Sequence, residues 1–342
     1  MHFLSLKRSQ LTLSLFFVMS SQLYAADALV LAHRGASGYL PEHSLAAKAM
    51  AHAQGSDYLE QDVVLTRDGV PLVLHDIYLD TLTDVAQQYP ERQRTDGRFY
   101  AIDFTLDEIK QLRATQRFNR ITGAPAYPAR FPLDAFTYQL HTLEEEIQFL
   151  KGLNASTGRA VGLFPEIKQS TFHLAEGQDI VRIVFELLQR YGYADNNSGA
   201  IIHSFEPTTL RRLRELGWRA QLELAFGEGK AADGSDFEYL ASADGLTELR
   251  TYVDSVWAPA KRMFNWDAEG ELHLNSFTHD AKSAGLTVYG GVIAPEELPA
   301  NCPSIDAWHD ALVNAAQVDG VVTDFPDVTR TWLQKQRGET TL

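Results

Sequence analysis

Short apolar stretches alternate with longer amphipathic stretches along most of the chain. The apolar stretches are rich in Val, Leu and Ile and predict buried strands, whereas apolar residues recurring every three or four positions predict helices. Predicted strands cover 29–33, 57–65, 71–76, 160–164, 200–205, 221–226, 252–259, 286–292 and 319–326. Predicted helices cover 45–54, 106–113, 180–191, 207–216, 273–284 and 305–316, and a further helix begins at 142.

The alternation of strand and helix indicates parallel strands joined by right-handed crossovers. Counting 71–76 as a hairpin return of the second strand leaves eight parallel strands, which predicts an α/β fold of the (β/α)8 TIM-type barrel. A long inserted segment, 77–140, follows the second strand and is interrupted by several prolines. Loops this long are usually functional, so the insert is expected to roof a site, although a surface excursion fits equally well.

Ionisable residues stand where the first two strands should be apolar. The first strand runs into His33-Arg34-Gly35, and the second contains Glu60 and Asp62. Burying unpaired charges is costly, so this placement suggests a site. Because strand side chains alternate between faces, both carboxylates project from the same side and can share one ligand.

The dipeptide Asp68-Gly69 between two apolar runs predicts a two-residue hairpin turn. That turn would place His75 opposite Asp62, and hence beside Glu60. Two carboxylates without a cysteine partner are typical of a hard cation, Ca²⁺ or Mg²⁺. A salt-bridge ladder on an edge strand is the purely structural alternative.

A third acidic residue, Glu166, lies at the C-terminal end of the next predicted strand, and Lys168 shares its face. The strand-end position favours Glu166 as a third oxygen ligand over a surface Glu/Lys pair.

Residues 1–26 are typical of a secretory signal peptide, with Lys7 and Arg8 before an apolar run and small residues at the end. The run is about half of the ~20 residues that a spanning helix needs, so no stable membrane anchor is expected. The single cysteine, Cys302, excludes an internal disulfide. We therefore predict one exported domain, 27–342.

The formal net charge of −15 argues against nucleic acid or anionic lipid as a partner. An anionic small molecule would need a local positive pocket. The sequence leaves the oligomeric state open, a homodimer included.

With these motifs in view, the chain resembles the glycerophosphodiester phosphodiesterase family, in particular its periplasmic bacterial branch. The similarity extends over essentially the whole mature chain, and five motifs in family order carry it: 33–39, 59–62, 75–76, 164–168 and 321–326. Three positions depart from the family pattern: His43-Ser44 stands where Asn-Thr is common, and His203 stands where Gln is common. These departures bear on substrate contacts more than on the chemistry.

The resemblance implies a TIM-type barrel with its site at the C-terminal ends of the strands. It also implies Ca²⁺, with Mg²⁺ as the less favoured ion, and a glycerophosphodiester as the small-molecule substrate. The implied roles are metal ligands for Glu60, Asp62 and Glu166, acid/base catalysts for His33 and His75, and phosphate contacts for Arg34 and Lys168.

The expected reaction yields sn-glycerol 3-phosphate and an alcohol through a cyclic phosphate, with His33 as first base and His75 as acid. Two alternatives remain open: a lysophospholipid or phosphoinositide phosphodiesterase on the same barrel, and a non-catalytic periplasmic binding protein. A glycosidase is disfavoured because the three carboxylates cluster at one point.

Overall fold

The computed structural model describes residues 28–196 and 198–339. The predicted signal peptide, 1–26, lies outside these residues. No helix in the described part of the chain combines the length and the apolar character needed to cross a membrane.

Eight parallel strands form a closed barrel, which confirms the predicted fold. Each strand pairs with the next along the chain, and the last pairs with the first, where Ala32 lies beside Thr323. The strands are β1 Leu29–Ala32, β2 Tyr58–Leu65, β3 Gly162–Ile167, β4 Ile201–Ser204, β5 Gln221–Ala225, β6 Ser255–Ala258, β7 Thr287–Ile293 and β8 Gly320–Thr323.

Helices surround the barrel and, outside the inserted segment 77–140, bury their apolar faces against it. In the described residues they are α1 Leu45–Ala53, α2 Val85–Gln88, α3 Leu106–Ile109, α4 Leu143–Thr157, α5 Ser170–Ala175, α6 Ile180–Arg190, α7 Pro207–Glu215, α8 Phe237–Leu240, α9 Ala243–Leu249, α10 Phe277–Ser283, α11 Ile305–Asp310 and α12 Pro326–Gln336. A π-helical turn, Ala311–Ala315, continues α11. Capping boxes begin α3 and α4, at Thr105 with Glu108 and at Thr142 with Glu145.

Two predicted helices are too long. The helix expected over 273–284 begins only at Phe277, because Leu272–Leu274 pairs with Phe264–Trp266 in a hairpin and the Asn275 side chain accepts the Phe277 N–H. The helix expected over 106–113 ends at Ile109. Four residues after this end, the Arg113 N–H donates to the Asp84 carboxylate instead of to the carbonyl of a continuing helix.

The hairpin after β2 has a register one residue away from the prediction. Val63 pairs with Val73, and the Thr66 N–H donates to the Val70 carbonyl, so the connection has three residues rather than two. Asp62 therefore lies opposite Leu74, whose N–H donates to the Asp62 carbonyl at 2.9 Å, and not opposite His75. The Asp-Gly turn was predicted correctly in place but wrongly in length.

The barrel interior changes from apolar to polar along the strands. An apolar layer contains Leu31, Phe164, Ile201, Tyr289 and Val322. Glu166 lies two residues after Phe164 on β3, and His203 lies two residues after Ile201 on β4. The inter-strand register aligns a polar row across five strands: Asp62, Glu166, His203, Glu223 and Ser255. Asp62, Glu166 and His203 lie in the C-terminal halves of their strands, whereas the row reaches the middle of β5 at Glu223 and the start of β6 at Ser255.

The insert, 77–140, has an apolar cluster of its own. Short helices α2 and α3 and the 3₁₀ turns Pro90–Arg92 and Ala101–Asp103 contribute to it. The cluster also takes in Val64, Leu72 and Leu74 from the hairpin. The insert is therefore packed against the edge of the barrel, at the mouth where the polar row lies.

Candidate active site

Three carboxylates and two cations meet at the C-terminal mouth of the barrel. Glu60, Asp62 and Glu166 are all buried, with Asp62 and Glu166 aligned on neighbouring strands. The Lys168 ammonium lies 2.8 Å from Glu166 Oε1 and 3.3 Å from Asp62 Oδ1, and Arg34 Nε lies 3.4 Å from Asp62 Oδ2. This burial excludes the exposed edge-strand ladder, and the predicted residues are brought together.

The motif at the end of β1 is shaped by its backbone. Arg34 has a φ of 57°, which turns its N–H toward Glu60 Oε2 at 2.7 Å. Gly35 follows with a φ of 86°, and a Cβ at this position would lie 2.8 Å from the Ala47 carbonyl carbon in α1. Only glycine fits between the turn and the helix. The tripeptide therefore sets the position of Arg34 beside the carboxylates.

The three carboxylates differ in charge state. Burial, followed by the charge of Asp62, raises the pKa of Glu60 well above its usual value. Burial likewise raises the pKa of Glu166 to about 8, against the opposing charge of Lys168. For Asp62 the effect of burial is outweighed by Lys168 and His75, so its pKa is lowered. Three ionised carboxylates would carry one more negative charge than Arg34 and Lys168 balance. The raised pKa values of Glu60 and Glu166 favour their protonated forms, which reduces this excess of negative charge.

The residues present suit a metal ion. Ligand atoms of Glu60, Glu166 and His203 lie within 4.8 Å of one another, and so do those of Glu60, Asp62 and His43. Buried carboxylates with raised pKa values are a donor set that a cation would neutralise. Described residues could thus hold a metal at this cluster, with Glu60 shared by both groups. The predicted ligands Asp62 and Glu166 fall in different groups, each completed by a histidine.

Two histidines at this cluster carried no predicted role. His43 Nε2 lies 2.8 Å from Asp62 Oδ2, and burial lowers its pKa to about 3. His203 stacks on Phe164 with ring centroids 4.1 Å apart, and burial lowers its pKa to about 3. Neither ring nitrogen of His203 has a hydrogen-bond partner among the described residues, and Nε2 lies 4.0 Å from Glu60 Oε1. Both histidines are neutral, and both occupy the positions where the sequence departs from the family pattern.

His33 lies at the end of β1 and contacts a carboxylate that follows β8. Its Nδ1 lies 2.7 Å from Asp324 Oδ1. Asp324 in turn pairs through Oδ2 with Arg130 of the insert at 2.8 Å. Holding Nδ1 in this way leaves Nε2 free for chemistry.

His75 has a similar arrangement on the other flank. Its Nδ1 lies 2.6 Å from Asp76 Oδ1, and Asp76 Oδ2 accepts from Arg117 at 2.7 Å. Burial, then the charges of Arg34 and Lys168, lower the pKa of His75 to about 4. Asp62 and His75 lie close enough to shift each other's pKa, so His75 belongs to the site despite the changed register.

A buried network supports β2 from outside the barrel. Lys48 of α1 donates to the Glu60 carbonyl and pairs with Glu146 of α4 at 2.8 Å. Glu146 also accepts from Gln61 at 2.8 Å and lies 2.7 Å from His141 Nε2. The network fixes the backbone that carries Glu60.

Several site residues carry no role in the sequence-based prediction. Asp324 has the signal that identified Glu166, a carboxylate at a strand's C-terminal end, and it lies inside the last of the five family motifs. Arg117 and Arg130 lie in the insert, where no periodic pattern marks them. Their contacts depend on how the insert folds back, which the sequence pattern does not show.

Fold and site together define a barrel enzyme in which two carboxylate-bound histidines flank a candidate metal centre and two cations. Comparison with known proteins identifies the family to which this chain belongs. Residues 33–328 match the model of the glycerophosphoryl diester phosphodiesterase family, and the chain belongs to this family.

The relatives agree with this assignment along nearly the whole chain. The glycerophosphodiester phosphodiesterase of Haemophilus influenzae is 36% identical over 329 residues, covering 90% of this chain and 90% of the relative. That of Treponema pallidum is 34% identical over 332 residues, covering 91% and 93%. The prediction of a phosphodiesterase is confirmed, and a non-catalytic binding protein is disfavoured.

Solved structures share the fold. A Silicibacter pomeroyi chain matches with a TM-score of 0.69 at 21% identity, covering 92% of this chain and 95% of that one. An Oleispira antarctica phosphodiesterase, solved with its product sn-glycerol-3-phosphate, matches with a TM-score of 0.60 at 21% identity, covering 91% and 98%.

Proposed function

We propose that this enzyme hydrolyses glycerophosphodiesters in a calcium-dependent reaction, giving sn-glycerol 3-phosphate and an alcohol, after export to the periplasm. One observation carries the proposal: two histidines, each oriented by its own aspartate, flank a buried cluster of three carboxylates and two cations. The product found in the Oleispira phosphodiesterase is of the expected kind.

Calcium is the ion we propose for Glu60, Asp62 and Glu166. Three carboxylates without a cysteine are a hard oxygen donor set, which suits Ca²⁺ and, less well, Mg²⁺. When bound, such a cation neutralises phosphate charge and makes a nearby hydroxyl more acidic.

The cations of the chain itself bind and orient the phosphate. Arg34 offers planar donors, whereas Lys168 supplies a compact charge. Both are held close to the cluster by Asp62, at 3.4 and 3.3 Å. A phosphodiester between them would have its negative charge balanced locally, despite the acidic net charge of the protein.

The two histidines move the protons. In the first half, His33 takes the proton of the substrate's glycerol 2-hydroxyl, whose oxygen attacks phosphorus while His75 protonates the departing alcohol oxygen. In the second half, water opens the resulting cyclic phosphate with the two roles reversed. The net reaction consumes one water and releases the two products.

The low pKa of His75, about 4, leaves it neutral before substrate binds. Two of the causes are the charges of Arg34 and Lys168, which an anionic phosphate would compensate. Substrate binding therefore raises the pKa of His75 toward the range that an acid needs.

Glycerophosphocholine turnover tests the proposal. We expect activity to disappear with a chelator and to return with excess Ca²⁺, more fully than with Mg²⁺. Glu60→Gln and Glu166→Gln should lose this metal response, whereas Glu271→Gln on the surface should keep it. Activity indifferent to the chelator would refute calcium dependence, and a preference for lysophosphatidylcholine would favour the lipid alternative.

The leaving group tests the role of His75. His75→Ala should reduce turnover of the choline ester far more than turnover of a nitrophenyl ester, because nitrophenolate departs without a proton. Equal losses on both esters would reject the role of His75 as the acid.

A further inference from the structure

We propose that Arg117 and Arg130, both from the insert, are positioning residues that orient the two catalytic histidines through Asp76 and Asp324. The inference rests on the proposed acid/base roles of those histidines. It gives the insert a part in catalysis beyond covering the site.

On the His75 flank the contacts form a continuous chain. Asp76 uses Oδ1 for His75 Nδ1, at 2.6 Å, and Oδ2 for Arg117 Nη1, at 2.7 Å. Arg117 also makes two hydrogen bonds to Glu42, at 2.9 and 2.7 Å. The Thr81 hydroxyl, also in the insert, donates to Asp76 Oδ2 at 3.0 Å. Among the described residues, both partners of Oδ2 come from the insert.

On the His33 flank the same pattern recurs with different residues. Asp324 uses Oδ1 for His33 Nδ1, at 2.7 Å, and Oδ2 for Arg130 Nη2, at 2.8 Å. Arg130 is held on its other side by Glu296, at 2.8 and 3.1 Å, and its guanidinium lies 4.0 Å from the centre of the Tyr127 ring. Its side chain is only 5% exposed.

The repetition has a physical consequence for each imidazole. A carboxylate held at one oxygen by a guanidinium cannot rotate freely, so its other oxygen stays aimed at Nδ1. The proton then remains on Nδ1, and Nε2 faces the reacting atoms in the form that an acid/base catalyst needs. Outer-shell partners of metal ligands, which orient an imidazole in the same way, are typically worth about 10- to 100-fold in activity, and we expect losses of this order here.

Other charges face these histidines and remain in place when an arginine is changed. Around His75 they are Arg34, Lys168, Asp62 and Glu42. His203 is the further titratable group near His33. None of these charged groups contacts the Oδ2 atoms of Asp76 or Asp324 among the described residues. When Arg117 is changed, the neutral Thr81 hydroxyl is the donor that remains at Asp76 Oδ2, so neither arginine has a charged substitute.

The test compares Arg117→Gln and Arg130→Gln with a matched control, Arg98→Gln. Arg98 also lies in the insert and pairs with a buried carboxylate, Asp80, at 2.7 Å, but this pair contacts none of the histidines that the structure describes. All variants are made in the full protein, and folding is checked by circular dichroism.

The first measurement is ¹⁵N NMR of the histidine rings, assigned with His33→Gln and His75→Gln. Arg117→Gln should shift or broaden the Nδ1–H signal of His75 and leave His33 unchanged. Arg130→Gln should do the reverse, and Arg98→Gln should change neither. If every insert variant disturbs both histidines, or none disturbs either, the proposal is overturned.

The second measurement is glycerophosphocholine kinetics. Each site variant should lower kcat about 10- to 100-fold with KM changed less than about 3-fold. Arg117→Gln combined with Asp76→Asn should be no worse than Asp76→Asn alone, and additive losses would contradict the shared path. The NMR result does not depend on turnover, so a protein inactive on glycerophosphodiesters would refute the proposed function and leave this inference to be judged by the ring signals.

Discussion

Gly35 is the residue on which the end of β1 depends. Its φ of 86° and the 2.8 Å distance that would separate a Cβ from the Ala47 carbonyl carbon leave no room for a side chain. Gly35→Ala should cost more than the ~1–2 kcal/mol of a left-handed backbone alone, because α1 must also move. The measurement is the free energy of unfolding in urea.

Gly158→Ala is the matched control for that experiment. Gly158 has a φ of 72° at the end of α4, and nothing in the described chain lies within 4 Å of the added Cβ position. Gly158→Ala therefore measures the loss of stability that comes from the left-handed backbone alone, without a steric clash. If the two variants lose the same stability, the contact with α1 does not constrain the motif.

Glu166 predicts a link between metal and proton binding. Its pKa of about 8 means that the metal-free carboxyl is mostly protonated at pH 7, and a bound cation requires the carboxylate. Calcium binding should therefore release protons at pH 7, and its affinity should rise as pH increases toward 8. Calorimetry in buffers of different ionisation enthalpy measures the release, and Glu166→Gln should reduce it. Unchanged release in that variant would contradict the assignment.

Much of the site could be predicted at this scale because charge inside an apolar strand is a local signal. Glu60, Asp62, Glu166 and His33 all follow from it. His203 and Glu223 carry the same signal on β4 and β5, yet one histidine or one glutamate alone does not distinguish a ligand from a packed core residue. Their alignment with Glu166 emerges only from the strand register.

Among the elements, α1, α4 and β2 are joined by the buried Lys48–Glu146 pair. Lys48→Met would leave the Glu146 carboxylate buried without its cation, which typically costs about 3–5 kcal/mol. Combining it with Glu146→Gln should recover part of that loss. Urea unfolding at pH 8 measures both.

The same pair gives a pH dependence with a defined sign. Burial raises the pKa of Glu146, but Lys48 and then His141 outweigh it and lower the pKa to about 2. In the wild type the stabilisation is present above the usual value of 4.5 and is lost as pH falls toward 2. In Lys48→Met the carboxyl has a raised pKa and takes up a proton on acidification, so the stability gap should be smaller at about pH 5 than at about pH 8. A gap that widens on acidification would show that the charge of Glu146 is not the cause.

The elements also show where sequence patterns lose information. Helix starts with a capping side chain, at Thr105 and Thr142, are fixed by adjacent residues, and the predicted starts at 106 and 142 agree with the structure to within one residue. The hairpin register depends on whether the turn at Asp68-Gly69 has two or three residues, and the amino-acid composition of the turn does not determine which length forms. A one-residue change there moved His75 away from Asp62's pairing position, while the loop after the hairpin still carried it to the site.

For the whole molecule, a metal that binds only the folded chain should raise its melting temperature. At about 100 times the Kd the stabilisation is about 2.7 kcal/mol, which corresponds to an increase of several degrees. Thermal unfolding with Ca²⁺ and with a chelator measures it. Glu166→Gln should abolish the increase.

A second acidic group provides the control for that measurement. Asp267, Glu271 and His273 could also gather around an ion, but they lie in the surface hairpin. Glu271→Gln should keep the full increase. If it removes the increase while Glu166→Gln does not, the stabilising ion binds the hairpin and not the barrel mouth.

The barrel was predictable because eight repeats of one local pattern admit few closed arrangements. The fold of the insert was not predictable, because Arg117 and Arg130 contact residues that are far away in sequence and no periodic pattern in the sequence indicates these contacts. The whole molecule thus combines a regular scaffold with an irregular segment that reaches both histidines.

Lys168 gives this site a thermodynamic property of its own. Its ammonium lies 3.3 Å from Asp62 Oδ1 and 2.8 Å from Glu166 Oε1, so a cation that binds these carboxylates has to displace the ammonium as well as the proton of Glu166. The displaced ammonium then becomes available to an anion, and by reciprocity whatever strengthens the one ligand must strengthen the other to the same degree. If calcium binds as proposed, calcium and phosphate should therefore bind cooperatively, each more tightly in the presence of the other than alone.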